Sequence, residues 1–173
     1  MGAWGAGSFD NDTALDYLDG LADAGEGVGD DDEPGKIALI LGPLAMVDSA
    51  STDMDDMPEE EAEEDDEEGG YLDADLACDA VAAAEVLAAI YGKPHKEFAS
   101  DDDELSSAII GKWAKSKGTK EKQLTDNSAR ELAIRAVAKI RDAGELHDLW
   151  ADAEPADKKA WQAAMSDLLA RLK

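Results

Sequence analysis

The residues best suited to bind a ligand stand near the start of the chain, in the sequence GAWGAGSFDNDTALDYL over residues 2–18. Its glycines do not match a phosphate-binding loop, because the G-x-G-x-x-G order is missing and no lysine follows the last glycine. The acidic run at residues 10–12 matches the first ligands of a calcium loop. However, Ala14 and Leu15 stand where that loop requires an oxygen ligand and a glycine. The segment instead predicts a tight turn followed by a capped helix start.

Glu85 is the acid with the most distinctive setting. It interrupts a run of alanines. It lies about 120° around the predicted helix from Asp79, off the main acidic stripe, which indicates partial burial. A buried glutamate requires a partner, and the Trp4 indole or the amino-terminal loop is the expected one. The alternative is a catalytic acid, because acids in unusual environments also occur at active sites. The sequence therefore singles out five residues as a functional or structural motif: Trp4, Phe9, Asn11, Asp12 and Glu85.

Histidine and cysteine are too sparse to predict a metal site or a catalytic nucleophile. The chain has one cysteine, Cys78, and two histidines, His95 and His147. A buried free thiol and two histidines in ordinary surface or hydrogen-bonded roles are expected. No catalytic, cofactor-binding or metal-binding residue is predicted.

Helical periodicity runs through most of the 173 residues. It predicts an all-α fold, with a single compact domain of about six or seven helices over residues 1–173. The apolar stretch 34–47 is predicted as a helix broken at Gly42-Pro43, with a short strand as the alternative. An alanine-rich helix is predicted over residues 72–91, ending at Gly92.

The later helix starts are predicted from capping residues. Ser100 with Asp103, and Ser128 with Glu131, have the spacing of capping boxes. Pro155 is suited to the first turn of a carboxy-terminal helix. The apolar face of that last helix is predicted to consist of Trp161, Met165, Leu168, Leu169 and Leu172.

The net charge is strongly negative and unevenly distributed. The formal charge is −26, and residues 1–104 contain 32 acidic residues against 3 lysines, whereas residues 105–173 contain 10 acidic and 13 basic residues. Between residues 53 and 68, 12 of 16 residues are acidic. Such self-repulsion predicts a long, disordered acidic insertion, a linker at residues 48–70 within the domain.

This charge favours a basic protein as partner and argues against nucleic acid and anionic membranes. The lysine-rich tract at residues 112–122 is interpreted as a solvated face or an internal counter-charge. The longest apolar run, residues 37–47, is too short to cross a bilayer, and no basic leader precedes an apolar stretch. These features predict a cytoplasmic protein and leave its oligomeric state open.

Three blocks of sequence carry a family resemblance: MGAWGAGSFDNDTALDYL at the start, AVAAAEVLAAIYGKP from Ala80, and ELHDLWADA with WQAAMSDLLARL near the end. They resemble the bacterial family catalogued as domain of unknown function 4259. The chain departs from the family pattern at Ser8, where proline is usual, and in the acidic segment, which resembles an insertion. The resemblance implies a fold and supplies no catalytic residue.

Two classes of function follow from these observations. The leading hypothesis is a non-enzymatic, immunity-like or regulatory protein-binding module for a basic partner. The alternative is a small-molecule or metal-dependent enzyme that uses the amino-terminal Gly/Trp/Asp block and Glu85. A third account treats the acidity as an adaptation to salt.

Overall fold

The computed structural model describes residues 5–27, 33–52, 72–96 and 126–173. Every regular element within these residues is an α-helix, which confirms the predicted all-α class. The six helices are α1 (Asp12–Gly27), α2 (Glu33–Ser49), α3 (Ala74–Ile90), α4 (Asn127–Asp142), α5 (Glu145–Ala151) and α6 (Pro155–Leu172).

Part of what the sequence predicts lies outside the described residues. This holds for Trp4, for the helix start at Ser100, for the lysine-rich tract at residues 112–122 and for most of the acidic linker. Where the linker was predicted to begin, α2 continues through Ser49. The next residue, Ala50, is buried, so the folded part extends beyond the predicted boundary at residue 48.

Helix α3 is the centre of the fold, because each of the other five helices packs against it. Thirteen of its seventeen residues are buried, and eight of these are alanines. A helix that is apolar over most of its surface is suited to extensive burial, and short alanine side chains let the surrounding helices approach closely. The alanine-rich sequence therefore specifies a buried central helix.

Both ends of α3 are fixed by hydrogen bonds. At its start, the Asp73 carboxylate accepts from the Leu76 backbone N–H over 2.7 Å. The Leu72 N–H donates to the Ser51 carbonyl over 2.8 Å, which joins this start to the end of α2. Gly92, with φ +80°, follows the last turn as predicted, since a left-handed residue after a helix is usually glycine.

Helix α2 is continuous through Pro43, so the predicted break at Gly42-Pro43 is wrong. Proline has no N–H and cannot donate to the carbonyl four residues earlier, which belongs to Leu39. The Tyr17 hydroxyl of α1 donates to that carbonyl over 2.8 Å. Burial, and then the charge of Asp79, raise the pKa of Tyr17 above its ordinary value. The hydroxyl therefore remains protonated and can serve as the missing donor.

Helix α4 begins earlier than its predicted capping box. Its first residue is Asn127 and the residue at the cap position is Asp126, with no side-chain cap hydrogen bond. Ser128 lies inside the first turn, so the predicted box of Ser128 with Glu131 is wrong. The helix starts before the serine, since Asp126 has the extended backbone conformation of a cap residue.

The carboxy-terminal helix follows the sequence prediction closely. Pro155 occupies the first position of α6, where the missing N–H has no helical acceptor to satisfy. All five residues predicted for its apolar face are buried: Trp161, Met165, Leu168, Leu169 and Leu172.

The Tyr17 hydrogen bond yields a test of how α2 tolerates its proline. Tyr17→Phe should destabilise the protein by about 1 kcal/mol, because it leaves the Leu39 carbonyl without its protein donor. In a Pro43→Ala background the restored N–H of residue 43 donates to that carbonyl, so the same change should be nearly neutral. Urea unfolding followed by circular dichroism measures both values.

Pro155→Ala is the matched control, because this proline leaves no helical carbonyl without a donor. The effect of Tyr17→Phe should be the same with and without Pro155→Ala. Equal effects of Tyr17→Phe with and without Pro43→Ala would show that the hydroxyl does not replace the proline's missing donor.

Candidate functional site

Glu85 lies in α3 with none of its surface exposed. Among the residues that the structure describes, three buried residues are polar, and Glu85 is the charged one; the other two are Ser8 and Asn11. A carboxylate removed from water is strongly unfavourable unless it is paired and hydrogen-bonded. The surroundings of Glu85 must therefore supply a positive charge.

Arg171 of α6 supplies that charge. Its Nη1 donates to Glu85 Oε2 over 2.6 Å and its Nη2 donates to Glu85 Oε1 over 2.7 Å. This two-pronged geometry is the strongest form of carboxylate pairing. The Arg171 side chain is itself only 14% exposed. Burial lowers the pKa of Arg171, but Glu85 and then Asp167 outweigh that effect and raise it.

The amino-terminal loop provides the third contact to Glu85. The Ser8 hydroxyl donates to Glu85 Oε1 over 2.8 Å. Both carboxylate oxygens therefore have partners inside the protein. The loop, α3 and α6 meet at this group of three residues, which we call the Glu85 cluster: Ser8, Glu85 and Arg171.

The glycines of the amino-terminal loop have a structural explanation. The Asp10 carboxylate folds back over the loop and accepts from the Gly7 N–H over 2.8 Å. A Cβ atom at Gly5 or Gly7 would collide with this carboxylate. The glycine spacing therefore accommodates Asp10 and holds Ser8 next to Glu85.

The structure places the predicted motif residues in different environments. Asn11 is buried and its Oδ1 accepts from the Ala14 N–H over 2.7 Å, which caps α1. Phe9 is buried, with its ring 5.8 Å from that of His95 in an edge-on contact. Asp12 is exposed in the first turn of α1, and Trp4 lies outside the described residues.

Sequence reasoning pointed to the amino-terminal loop as a partner of Glu85 but not to Ser8, and it missed Arg171. The available signal for Arg171 was weak: a single arginine within the apolar sequence LLARL at the end of the last helix. Such a residue is equally common on a solvated helix end, so the spacing could not reveal its partner.

A second charged feature is the face formed by α1 and the start of α3. Thr13 donates to Asp75 over 3.1 Å, which brings the two helices side by side. Within the described parts of the chain, no ion pair engages the carboxylates of this face. We call it the acidic face, and it comprises Asp12, Asp16, Asp19, Asp23, Asp73, Asp75 and Asp79.

The pKa of Asp79 is raised by its position on the acidic face. Burial, followed by the charges of Asp75 and Asp73, raises the pKa of Asp79 from 3.8 to about 6. A nearby cation would have the opposite effect on this pKa. The direction of the shift therefore reflects the burial of Asp79 and the like charges beside it.

The four arginines, by contrast, all have partners within the chain. Besides Arg171, Arg135 pairs with Asp48 at 2.7 Å, and Arg141 pairs with Asp142 at 2.7 Å. Arg130 lies over the Tyr91 ring at 4.4 Å from its centre. The arginines are therefore engaged elsewhere in the molecule and not with the acidic face.

Metal and thiol chemistry find little support in the described residues. No group of three or more His, Cys, Asp or Glu side chains within them is arranged to hold a metal ion. Cys78 is buried, and burial followed by nearby aspartates raises its pKa to about 12, so it remains a neutral thiol. His147 Nδ1 lies 2.9 Å from Asp148 Oδ1 on the surface of α5.

A family model described as Domain of unknown function (DUF4259) matches residues 2–34 and 44–164. The chain belongs to this family. The DUF4259 match includes the amino-terminal loop, the acidic face and Glu85, and it confirms the resemblance seen in the sequence. Arg171 lies beyond its last matched residue.

Neither a curated protein nor a solved structure matches this DUF4259 chain. No helix in the described part of the chain is both long and apolar enough to cross a membrane. The family name assigns no activity, so function must be argued from the geometry above.

The Glu85 cluster yields a stability prediction. Arg171→Met leaves a buried carboxylate without a counter-charge and should destabilise the protein by about 3–5 kcal/mol, because an uncompensated buried charge is strongly unfavourable. Glu85→Gln should destabilise it less, because Arg171 Nε still pairs with Asp167 over 2.7 Å. Urea unfolding of the full chain measures both.

The double variant Glu85→Gln with Arg171→Met is the decisive comparison. It removes both charges and should be more stable than Arg171→Met alone. If the double variant were destabilised by the sum of the two single effects, the two residues would not be coupled. The ion-pair account of the buried glutamate would then be wrong.

Asp79 yields a prediction about pH. Because its pKa is raised in the folded protein, ionisation of Asp79 destabilises the fold as pH rises from about 4 through about 6. Asp79→Asn should therefore raise the melting temperature at about pH 7, and the gain should disappear near pH 4.

Asp19→Asn is the matched control. This substitution removes the same charge as Asp79→Asn, but at a position that is exposed on α1. It should change the melting temperature less than Asp79→Asn at about pH 7. A gain from Asp79→Asn that persists unchanged near pH 4 would contradict the raised pKa.

Proposed function

We propose that this protein is a non-enzymatic binding module, immunity-like or regulatory in role, that docks a basic partner protein on its acidic face. The observation that supports this is the charge of α1 and the start of α3, which forms no ion pair with any residue that the structure describes. Exposed aspartates recur at Asp12, Asp16, Asp19 and Asp23 along one side of α1, while the arginines are paired elsewhere in the fold.

Electrostatics gives this arrangement a direct role in recognition. A surface with uncompensated charge of one sign attracts an oppositely charged protein over long distances and accelerates its association. A partner cation near Asp79 would also relieve the repulsion that raises its pKa. The acidic face is therefore strained when alone and favoured in a complex with a basic surface.

The placement of Glu85 gives no support to the enzymatic alternative. A catalytic acid or base must reach the proton that it transfers. Glu85 is fully buried, and its two oxygens accept hydrogen bonds from Arg171 and Ser8. These contacts support a structural role for the one residue that most resembled a catalytic acid.

The proposal is tested by neutralising the acidic face. We expect immobilised protein to retain a basic protein from an extract of its native host. A variant in which four aspartates are changed to asparagine should no longer retain that basic protein. The four are Asp16, Asp19, Asp23 and Asp75. With the purified pair at low salt, the variant should slow association by about tenfold or more, while dissociation changes less.

A second variant neutralises the same number of exposed acids elsewhere, at Glu131, Asp148, Glu154 and Asp157. It should retain the partner with nearly unchanged association. Equal losses in the two variants would indicate a general effect of net charge, as expected if the acidity is only an adaptation to salt. That result, or retention of no basic protein, would overturn the proposal.

A further inference from the structure

A cavity of about 380 Å³ lies between the amino-terminal loop, α3, α5 and α6. Val81 of α3, Trp150 of α5, and Trp161 and Met165 of α6 contribute apolar walls. Its volume is within the range of about 300–1,000 Å³ that is typical of small-molecule sites. It is much too small to accommodate a folded partner.

Two indole rings form part of the cavity wall. Trp150 and Trp161 are stacked, with ring centres 6.3 Å apart and planes 13° from parallel. Beside them, Leu149 lines the cavity and is 51% exposed. Aromatic and aliphatic walls of this kind favour the apolar part of a ligand.

Glu145 places a negative charge on the cavity wall. Its Oε2 accepts from the Ala74 N–H over 2.9 Å, which fixes the carboxylate in position. Its other oxygen makes no recorded hydrogen bond with the described residues. No basic side chain is found among the described residues that line the cavity.

The other polar groups of the wall are neutral or already engaged. Burial, followed by nearby aspartates, raises the pKa of Cys78 to about 12, so its thiol is uncharged. The Ser8 hydroxyl donates to Glu85, and Asn11 Oδ1 accepts from Ala14. Glu145 is therefore the charged group that a ligand in this cavity would meet.

We propose that this cavity is a binding site for a small hydrophobic amine, with its apolar group against Trp150 and Trp161 and its ammonium group at Glu145. The charge excludes the opposite class of ligand. A carboxylate or phosphate would meet Glu145 without a compensating cation, in a molecule of net charge −26. An ammonium group gains a charge-assisted hydrogen bond at the same place.

Four small probes separate the contributions of ring and charge. Phenethylamine has an aromatic ring and a positive charge, whereas phenethyl alcohol has the ring without a charge. Hydrocinnamate has the ring with a negative charge, and ethylammonium has the positive charge without a ring. Calorimetric titration of the full chain at physiological ionic strength should show phenethylamine binding about tenfold more tightly than the alcohol. Hydrocinnamate and ethylammonium should show no measurable binding.

Two variants locate the site. Glu145→Gln keeps an acceptor for the Ala74 N–H, and it should reduce phenethylamine affinity about tenfold, to that of the alcohol. Ala153 lines the cavity, so Ala153→Trp should fill it and abolish binding of both ring compounds. Ala156→Trp introduces the same side chain at an exposed position nearby and should leave binding unchanged.

Several results would overturn the proposal. These are no binding of phenethylamine, equal binding of the amine, the alcohol and the carboxylate, or amine binding that Ala153→Trp leaves intact. Circular dichroism of each variant establishes that it is folded. The specificity among the four probes is measured on the unaltered protein, so that part of the test needs no variant.

Discussion

The enclosure of α3 by five other helices is the constraint on which the rest of this structure depends. Thirteen of its seventeen residues are buried, so most of them are short and apolar, and a charge among the buried ones must be matched within the protein. Glu85 is that charge. Its partners come from distant parts of the chain, with Ser8 near the start and Arg171 near the end. The single buried carboxylate thereby ties both the amino-terminal loop and α6 to the central helix.

This requirement also explains the distribution of charge outside the core. Arg171 is committed to Glu85, and Arg135 joins α4 to the end of α2 through Asp48. These contacts fix helices relative to one another and consume positive charge. Within the described residues, no ion pair engages the aspartates of the acidic face, and burial followed by the charges of Asp75 and Asp73 raises the pKa of Asp79. The paired arginines thus add to the contrast between this face and the rest of the described surface.

Local patterns in the sequence predicted the helices well, because amphipathic spacing and alanine content are properties of neighbouring residues. The buried face of α6 is an example. The same patterns failed where the deciding contact is distant in sequence. The break predicted at Pro43 does not occur, and the Leu39 carbonyl that the proline leaves without a donor accepts from Tyr17, 22 residues earlier in the chain. Arg171 was missed for the same reason, since 86 residues separate it from Glu85. The glycines at residues 5 and 7 were recognised as structural, but their close contact with Asp10 required the fold.

The two proposed sites are physically connected through Glu145. Its N–H donates to the Leu72 carbonyl over 3.1 Å and its carboxylate accepts from the Ala74 N–H. Asp73 and Asp75, on either side of Ala74, belong to the acidic face. The backbone N–H that Glu145 binds is therefore one residue from each of these two aspartates, and charges interact over roughly 8 Å at physiological ionic strength. A cation held at Glu145 would reduce the negative potential at this end of the face. It would weaken the attraction of a basic partner there. By linkage, the bound partner would weaken binding of the amine by the same factor. If a basic partner and an amine bind as proposed, their like charges would make the two ligands mutually antagonistic without any change of fold.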